Sequence, residues 1–189
     1  MDPSDGVSAN WNEGGVLVGV RQIPSPNHDS RPFGEPVTVL VVHGISLPSG
    51  SFGGASIEQL FTNTLDVSVH PHFEELRNLR VSTHFLVRRD GELIQFVRCD
   101  ERAWHAGVSS WHARDRCNDY SIGVELEGTD DSFYTDAQYR CLGWLTCQIR
   151  RRYPLTDVIG HSDASPGRKT DPGRSFDWGR VRALCPQVS

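Results

Sequence analysis

A buried β-strand is indicated by the segment Val37-Thr38-Val39-Leu40-Val41-Val42-His43. Its first six residues are a nearly unbroken apolar run, which is typical of a strand covered on both faces of a sheet. The run stops at His43, and a segment rich in Gly and Pro follows up to Gly54. Strands of this kind occur in sheets flanked by helices, so the sequence predicts an α/β or α+β fold.

Downstream of this strand, the sequence predicts a helix and a hairpin. Ser56 and Gln59 form a capping-box pattern that opens a helix ending near Leu65. Two segments with strand-like composition, residues 81–87 and 92–97, flank the turn sequence Arg-Arg-Asp-Gly. Because an Asp-Gly pair suits a tight antiparallel turn, these segments are expected to pair with each other.

The second half of the chain continues the alternation of strands and helices. Its patterns predict a strand over 121–127, a helix capped by Thr135 and Gln138, a short strand at 158–159 and a last helix over 176–184. The capped helix carries apolar residues at helical spacing and arginines in its last turn, where cations suit the helix dipole.

Composition places the chain among compact domains. Its 189 residues, 37% hydrophobic and 23% charged, can bury one core. The 19 basic and 24 acidic residues give a net charge of −5 without a dense basic block, so nucleic acid is not an expected partner. We expect neither export nor membrane association, because no signal-like or membrane-spanning stretch is present. The five cysteines contain no CxxC pair, which fits reduced thiols in a cytoplasm.

Two histidines directly follow predicted strands and could bind a metal. His43 follows the first buried strand, and His161 comes just after the strand at 158–159, so both could face one crevice. Across a turn-rich segment, Asp171 could fold back toward His161. Two imidazoles and a carboxylate leave one position of a tetrahedral zinc ion open for water, which is the catalytic arrangement. Taken alone, each signal is weak, since single histidines are commonly structural.

The remaining histidines divide into two groups. Four lie in polar segments and are expected at the surface: His28, His70, His72 and His112. His84 lies within a strand pattern and His105 follows Trp104. Each of these two could line the pocket or satisfy a buried hydrogen bond, and the residues alone leave both alternatives open.

A carboxylate and an ammonium group add candidate chemistry. Alternation within 121–127 puts Ser121, Gly123 and Glu125 on one strand face. The small neighbours leave space for the Glu125 carboxylate to take a proton from an attacking water, although a solvent-facing glutamate is the alternative. Lys169 lies two residues before the aspartate and could stabilise an oxyanion, although an isolated lysine would be a surface charge.

Ordered motifs along the chain are shared with a known family. They include Val41-Val42-His43, Phe52-Gly53-Gly54, Leu79-Arg80-Val81-Ser82, Arg102-Ala103-Trp104-His105-Ala106-Gly107, Cys117-Asn118-Asp119-Tyr120, Gly123-Val124-Glu125-Leu126-Glu127, Gly160-His161 and Arg168-Lys169-Thr170-Asp171-Pro172-Gly173. In these motifs the chain resembles the zinc-dependent N-acetylmuramoyl-L-alanine amidases of the peptidoglycan-recognition superfamily. Within them it is most similar to the branch that acts on 1,6-anhydro-muropeptides.

The resemblance implies a fold and a metal centre. It implies a single amidase domain over residues 16–189, after an N-terminal tail of residues 1–15, with a mixed central β-sheet flanked by helices. It also implies a zinc ion, Zn²⁺, held by His43, His161 and Asp171.

The resemblance also implies roles for five further residues. Glu125 matches the catalytic glutamate of the family, and Lys169 matches the lysine that supports the charged transition state. Arg80 and Arg116 match basic residues suited to stem-peptide carboxylates, and Trp104 matches an aromatic residue that lines the site.

The implied reaction is hydrolysis of the amide between (1,6-anhydro-)N-acetylmuramic acid and L-alanine during cytoplasmic peptidoglycan recycling. The implied partner is the anhydro-muropeptide substrate, with no obligate protein partner. One departure is Gly44, where the resemblance leads us to expect asparagine, and it bears on substrate preference. Two alternatives stay open, namely an exported amidase that acts on polymeric peptidoglycan and a peptidoglycan-binding module without catalysis.

Overall fold

The structure is a computed structural model that describes residues 10–184. The strands are β1 (Arg21–Gln22), β2 (His28–Ser30), β3 (Val39–Ile45), β4 (Phe85–Val87), β5 (Leu93–Gln95), β6 (Glu101–Ala103), β7 (Ser110–Trp111), β8 (Arg114–Asp115), β9 (Ser121–Glu127) and β10 (Asp157–Gly160). The helices are α1 (Ser56–Phe61), α2 (Asp136–Arg152), α3 (His161–Ala164) and α4 (Trp178–Leu184), and the 3-10 helices are Val67–Val69, Pro71–Leu76 and Cys117–Asp119.

A six-stranded mixed sheet forms the centre of the protein. Its strand order is β1-β5-β4-β9-β3-β10, in which only β4 and β5 pair antiparallel. Two small antiparallel ladders, β2 with β6 and β7 with β8, lie outside this sheet. The predicted α/β fold with a mixed central sheet and flanking helices is therefore confirmed.

Helices α2 and α4 cover one face of the sheet. Leu142, Leu145 and Ile149 of α2 are fully buried in the same core cluster as the apolar residues on this face of β3 and β9. The helix begins with the predicted capping box, because the Thr135 hydroxyl accepts from the Gln138 N–H (3.1 Å) and the Gln138 side chain accepts from the Thr135 N–H (3.0 Å). Local sequence alone thus fixes where the longest helix starts.

Helix α1 covers only part of the opposite face. Ile57, Leu60 and Phe61 pack with Leu86 of β4 and Ile94 of β5 in a second core cluster. Over β3 and β10 this face carries a third apolar cluster, and the polar residues of the site described below lie on the same face. The cluster consists of Val39, Val41, Ala106, Cys117, Tyr120, Ile159 and Ala164. One face of the sheet therefore packs in the main core, and the other face carries smaller apolar clusters together with the residues of the candidate site.

The first buried strand is longer at its end than the sequence suggested. The prediction that the strand stops at His43 is wrong, because β3 continues to Ile45. Gly44 and Ile45 extend it by pairing with Leu126 and Glu127 of β9. His43 consequently lies inside a strand rather than beyond its end.

The predicted hairpin is present but shorter. Strands β4 and β5 pair antiparallel across the turn, in which the Gly91 N–H donates to the Arg88 carbonyl (2.9 Å) and Gly91 has a φ of 91°. Ser82 and His84 do not extend β4. Their N–H groups donate instead to the carbonyls of Trp104 and Gly123, at 3.2 Å each.

The predicted capping box at α1 is wrong. Ser56 is the first residue of the helix, and the N-cap is Ala55, which makes no side-chain capping hydrogen bond. The helix begins early because the Gln59 N–H donates to the Ala55 carbonyl (2.8 Å). It ends at Phe61, before the predicted Leu65, and Asn63 then adopts a left-handed backbone with a φ of 61°.

The predicted N-terminal tail falls partly outside the described residues. Residues 1–9 lie outside them, whereas Trp11 packs edge-on against the Tyr153 ring at 6.2 Å and the Gly15 carbonyl accepts from the Cys99 N–H. The domain boundary at residue 16 stays a prediction. Within residues 10–184, no helix is long and apolar enough to cross a membrane.

Candidate active site

Three segments bring His43, His161 and Asp171 together. His43 lies on β3, His161 is the first residue of α3 directly after β10, and Asp171 lies in the following loop. The Nδ1 atoms of the two histidines are 3.0 Å apart, and Asp171 Oδ2 lies 3.3 Å from His43 Nδ1 and 3.1 Å from His161 Nδ1. The three side chains form a group that could hold a metal ion.

Backbone hydrogen bonds close the loop that carries Asp171. The Ser162 N–H donates to the Asp171 carbonyl (3.0 Å), which folds the chain back beside His161. Arg168 fastens the loop from outside, since its guanidinium donates to the carbonyls of Ala106 (3.0 Å) and Val108 (2.6 Å). The position of the carboxylate is thus set by a main-chain hydrogen bond within the loop and by the Arg168 side chain.

The charges of the group suit a cation. His43 is 1% exposed, and this burial lowers its pKa to about 4, so its imidazole is neutral at neutral pH. Burial also acts to raise the pKa of Asp171, but contacts with the His161 and His43 imidazoles outweigh it and hold that pKa well below its usual range. An ionised carboxylate and a neutral imidazole are the forms in which these side chains bind metals.

The dimensions of the group also suit zinc. With ligand atoms at about 2.0–2.1 Å, two ligands of a tetrahedral zinc ion are about 3.3 Å apart. The three contacts between His43, His161 and Asp171 span 3.0–3.3 Å, so an ion fits between the atoms with little rearrangement. A donor set of two nitrogens and one oxygen leaves the fourth tetrahedral position open.

The strand register places Glu125 next to His43. The two residues are paired across the parallel strands β9 and β3, so both side chains lie on the same face of the sheet. Glu125 is 9% exposed, and its Oε2 atom has no hydrogen-bond partner among residues 10–184. Burial, followed by the charge of Asp171, raises its pKa well above the usual range, and Lys169 acts against this rise. Glu125 is therefore a buried carboxylate rather than the solvent-facing alternative.

Lys169 is exposed in the loop between the two predicted ligands. Its positive charge acts on the group of predicted ligands and on Glu125, because it contributes to lowering the pKa of both His43 and Glu125. Its N–H donates to the Ser165 carbonyl (3.0 Å), which ties the backbone of the lysine to the end of α3. The structure thus places an ammonium group near the metal-binding group without burying it.

The predicted substrate-binding residues do not contact the three-residue group. Arg80 is exposed and donates to the carbonyls of its neighbours Arg77 and Leu79. Arg116 is exposed, has a φ of 61° and forms an ion pair with Asp119 (3.1 Å). Trp104 is half-buried, and its backbone N–H donates to the Ser82 hydroxyl (2.9 Å). Their roles stay predictions.

Sequence reasoning missed a tyrosine under the site. The buried Tyr134 hydroxyl donates to the carbonyl of Pro172 (2.8 Å), the residue after Asp171. A Cβ added at Gly44 would lie 2.5 Å from this hydroxyl, so any larger residue at Gly44 requires Tyr134 to shift. No local pattern marks Tyr134 as part of the site, because its partners come from distant segments.

Comparison with known proteins identifies the family. The family model of N-acetylmuramoyl-L-alanine amidase matches residues 33–174. The chain belongs to this amidase family. The predicted resemblance is therefore confirmed, and the buried group lies within a domain of established type.

Individual relatives of this amidase cover nearly the whole chain. The 1,6-anhydro-N-acetylmuramyl-L-alanine amidase AmpD of Escherichia coli (strain K12) is 56% identical over 174 residues, which are 91% of this chain and 95% of that protein. A crystal structure of a selenomethionine AmpD derivative matches with a TM-score of 0.90 and 54% identity, covering 95% of this chain and 99% of that chain.

A more distant amidase structure contains a bound muropeptide. The crystal structure of AmpDh3 from Pseudomonas aeruginosa in complex with anhydromuramic pentapeptide matches with a TM-score of 0.62 and 30% identity. It covers 81% of this chain and 61% of that chain. This amidase thus shares its fold with a protein whose crystal structure contains a bound anhydromuramic pentapeptide.

Proposed function

We propose that this amidase hydrolyses the amide bond between 1,6-anhydro-N-acetylmuramic acid and the L-alanine of the stem peptide, in cytoplasmic peptidoglycan recycling. The observation that carries the chemistry is the buried Glu125 carboxylate beside a group of two imidazoles and one carboxylate. The substrate is supported by the Escherichia coli relative, a 1,6-anhydro-N-acetylmuramyl-L-alanine amidase that this chain matches over 95% of its length.

The metal in this proposal is zinc, held by His43, His161 and Asp171. The distances of 3.0–3.3 Å among their facing atoms and the nitrogen and oxygen donors support this assignment. A zinc ion bound here supplies a Lewis acid that polarises a carbonyl and promotes ionisation of water. The Asp171 side chain is 17% exposed, so a peptide bond can approach the group from the side of this carboxylate.

Glu125 moves the proton in the proposed reaction. Its unpartnered Oε2 accepts a proton from the attacking water as the water oxygen bonds to the amide carbon. Glu125 then donates this proton to the alanine nitrogen as the carbon–nitrogen bond breaks, which releases the sugar lactyl carboxylate and a peptide with a free amino terminus. The raised pKa favours both steps, because it makes the carboxylate a stronger proton acceptor than an ordinary glutamate and keeps the proton available for the leaving nitrogen.

The remaining predicted residues bind the substrate or stabilise the charge that develops during the reaction. Lys169 stabilises the negative charge that develops on the carbonyl oxygen. Arg80 and Arg116 are exposed cations that suit the carboxylates of the stem peptide, and the half-buried Trp104 offers an apolar surface to the substrate. Local positive charge thus meets an anionic substrate although the whole chain carries a net charge of −5.

The test is mass spectrometry of cleavage products. Zinc-loaded protein is incubated with 1,6-anhydro-muramyl-tripeptide and, separately, with its reducing counterpart, each with and without a chelator. We expect release of free tripeptide that the chelator abolishes and added zinc restores, and that is much faster from the anhydro compound. Equal rates on both compounds would favour an amidase for general peptidoglycan, and no cleavage by zinc-loaded protein would favour a binding module.

A further inference from the structure

His105 contacts the predicted metal ligand His43 from behind. Its Nδ1 atom lies 2.9 Å from His43 Nε2, and the two rings meet edge-on with centroids 5.0 Å apart. We propose that His105 is a positioning residue that fixes the tautomer of His43, so that His43 Nδ1 presents a lone pair to the metal. This inference rests on the proposed zinc centre and adds to it a residue to which the sequence assigned no role.

A chain of hydrogen bonds determines which ring nitrogen of His105 carries the proton. Ser121 Oγ lies 2.5 Å from the Cys117 carbonyl oxygen and 3.3 Å from His105 Nε2. A carbonyl oxygen only accepts, so the single hydroxyl proton of Ser121 is donated to Cys117. Ser121 Oγ must then accept the N–H of His105 Nε2.

The same reasoning carries the tautomer to His43. A neutral imidazole has one N–H, so His105 with its proton at Nε2 has a lone pair at Nδ1. This lone pair accepts the N–H of His43 Nε2, and the lone pair of His43 is left at Nδ1. Nδ1 is the atom that faces His161 and Asp171. Without His105, the alternative tautomer of His43 could donate its Nδ1 proton to Asp171 and close the metal site.

The residue after His105 orients the second histidine. The Ala106 carbonyl lies 3.2 Å from His161 Nε2 and accepts its N–H, which leaves the lone pair of His161 at Nδ1 as well. The Asn118 side-chain oxygen accepts the N–H groups of both His105 (3.2 Å) and Ala106 (2.8 Å). One anchored dipeptide therefore aligns both imidazoles of the metal group.

Strand β9 is shaped to admit the His105 ring. A Cβ added at Gly123 would lie 2.5 Å from Cγ of His105, closer than real contacts allow. Gly123 has no left-handed backbone angle, so its missing side chain serves space rather than conformation. The space that the sequence suggested beside Glu125 is thus filled at Gly123 by an imidazole.

His84 provides a contrast within the same region. Its Nδ1 atom accepts the Gly123 N–H (3.0 Å), and its Nε2 lies 3.1 Å from the Glu101 carbonyl. The Arg31 guanidinium also lies 3.1 Å from Nε2, so both ring nitrogens of His84 are engaged by groups other than a predicted ligand. Of the two histidines that the sequence left open, only His105 has a direct hydrogen bond to His43.

The test compares two variants of similar shape. His105→Asn keeps an acceptor near the position of Nδ1, whereas His105→Leu removes it. We expect His105→Leu to bind zinc about 10–100-fold more weakly in competition with a fluorescent chelator. We expect His105→Asn to stay close to wild-type affinity, and the exposed His72→Leu, the control, to equal the wild type. Gly123→Ala retains every imidazole but displaces the His105 ring, so it should weaken binding in the same direction.

Nitrogen-15 NMR of the metal-free proteins supplies a second readout. The ring shifts of His43 should report a proton at Nε2 in the wild type and in His105→Asn, and a shift toward a proton at Nδ1 in His105→Leu. Unchanged zinc affinity and tautomer in His105→Leu would overturn the inference alone, as would equal losses in the asparagine and leucine variants. A wild-type protein that binds no zinc would overturn the metal centre and the inference together.

Discussion

Replacing Glu125 by glutamine tests two effects of this carboxylate, namely its contribution to kcat and its effect on the stability of the folded protein. In the folded protein the side chain is 9% exposed, and Oε2 has no partner among residues 10–184. Burial and the charge of Asp171 raise its pKa well above the usual range, so folding favours the protonated form of this carboxyl group. A neutral amide of nearly the same shape removes this ionisation.

The sign of the pH dependence follows from linkage. A group whose folded pKa is raised contributes stability that is complete below its unfolded pKa and is lost as the pH rises through the folded pKa. The metal-free wild type therefore loses stability above about pH 4.5, relative to a variant without this group. Glu125→Gln does not share this loss, so its advantage grows as the pH rises.

The expected size of the gain is modest and measurable. Removing a destabilising active-site group commonly stabilises a protein by about 0.5–2 kcal/mol. For a chain of 189 residues, 1 kcal/mol corresponds to about 2–4 °C in Tm. We therefore expect metal-free Glu125→Gln to melt about 1–8 °C above the wild type at about pH 8, and with a smaller difference at about pH 5.

The assay combines calorimetry with turnover. Tm is measured on chelator-treated protein at both pH values, with the exposed Glu75→Gln as a control that should match the wild type. The zinc-loaded Glu125→Gln should lose about 10²–10⁴-fold in kcat at unchanged zinc content. Zinc-loaded Glu125→Gln that keeps most of its activity would refute the proton-transfer role, and equal Tm values at about pH 8 would refute the burial argument.

Two further predictions concern the scaffold. Arg88 pairs with Glu127 (3.1 Å), whose side chain is 1% exposed. Arg88→Met should lower the free energy of unfolding in urea by about 3–5 kcal/mol, because it leaves a buried carboxylate without its cation. The exposed Arg77–Glu74 pair is the control, and Arg77→Met should leave the unfolding curve unchanged. Thr135→Ala should cost about 0.5–2 kcal/mol through loss of the α2 cap, while Thr135→Ser should retain it, and equal thermal midpoints for the two variants would contradict the capping assignment.

Some elements were predictable because the information lies within a few residues. The cap of α2 needs only Thr135 and Gln138, and the alternation of 121–127 was sufficient to put Glu125 on the face opposite the apolar core. The start of α1 was not predictable, although Ser56 and Gln59 match the motif. There the first hydrogen bond forms from Ala55, which carries no polar side chain.

The predicted metal ligands of the candidate site could be named from the sequence, but the residues that hold them in position could not. His43, His161 and Asp171 could be proposed from strand ends and from the resemblance, and the structure brings them together. The contacts of His105 and Tyr134 could not be proposed. Each of these side chains meets partners from distant segments, such as His43, which is 62 residues before His105. Such residues come into contact only in the folded chain.

The parallel pairing of β3 with β9 and β10 also bears on the order of folding and metal binding. His43 and His161 are 118 residues apart in the chain and meet only after β10 has paired with β3. Contacts between such distant segments form late in folding, so the donor atoms cannot act as a nucleus around which the chain collapses. For the proposed zinc centre we therefore expect metal uptake to follow folding, so that a shortage of zinc leaves a folded protein without activity until the ion binds.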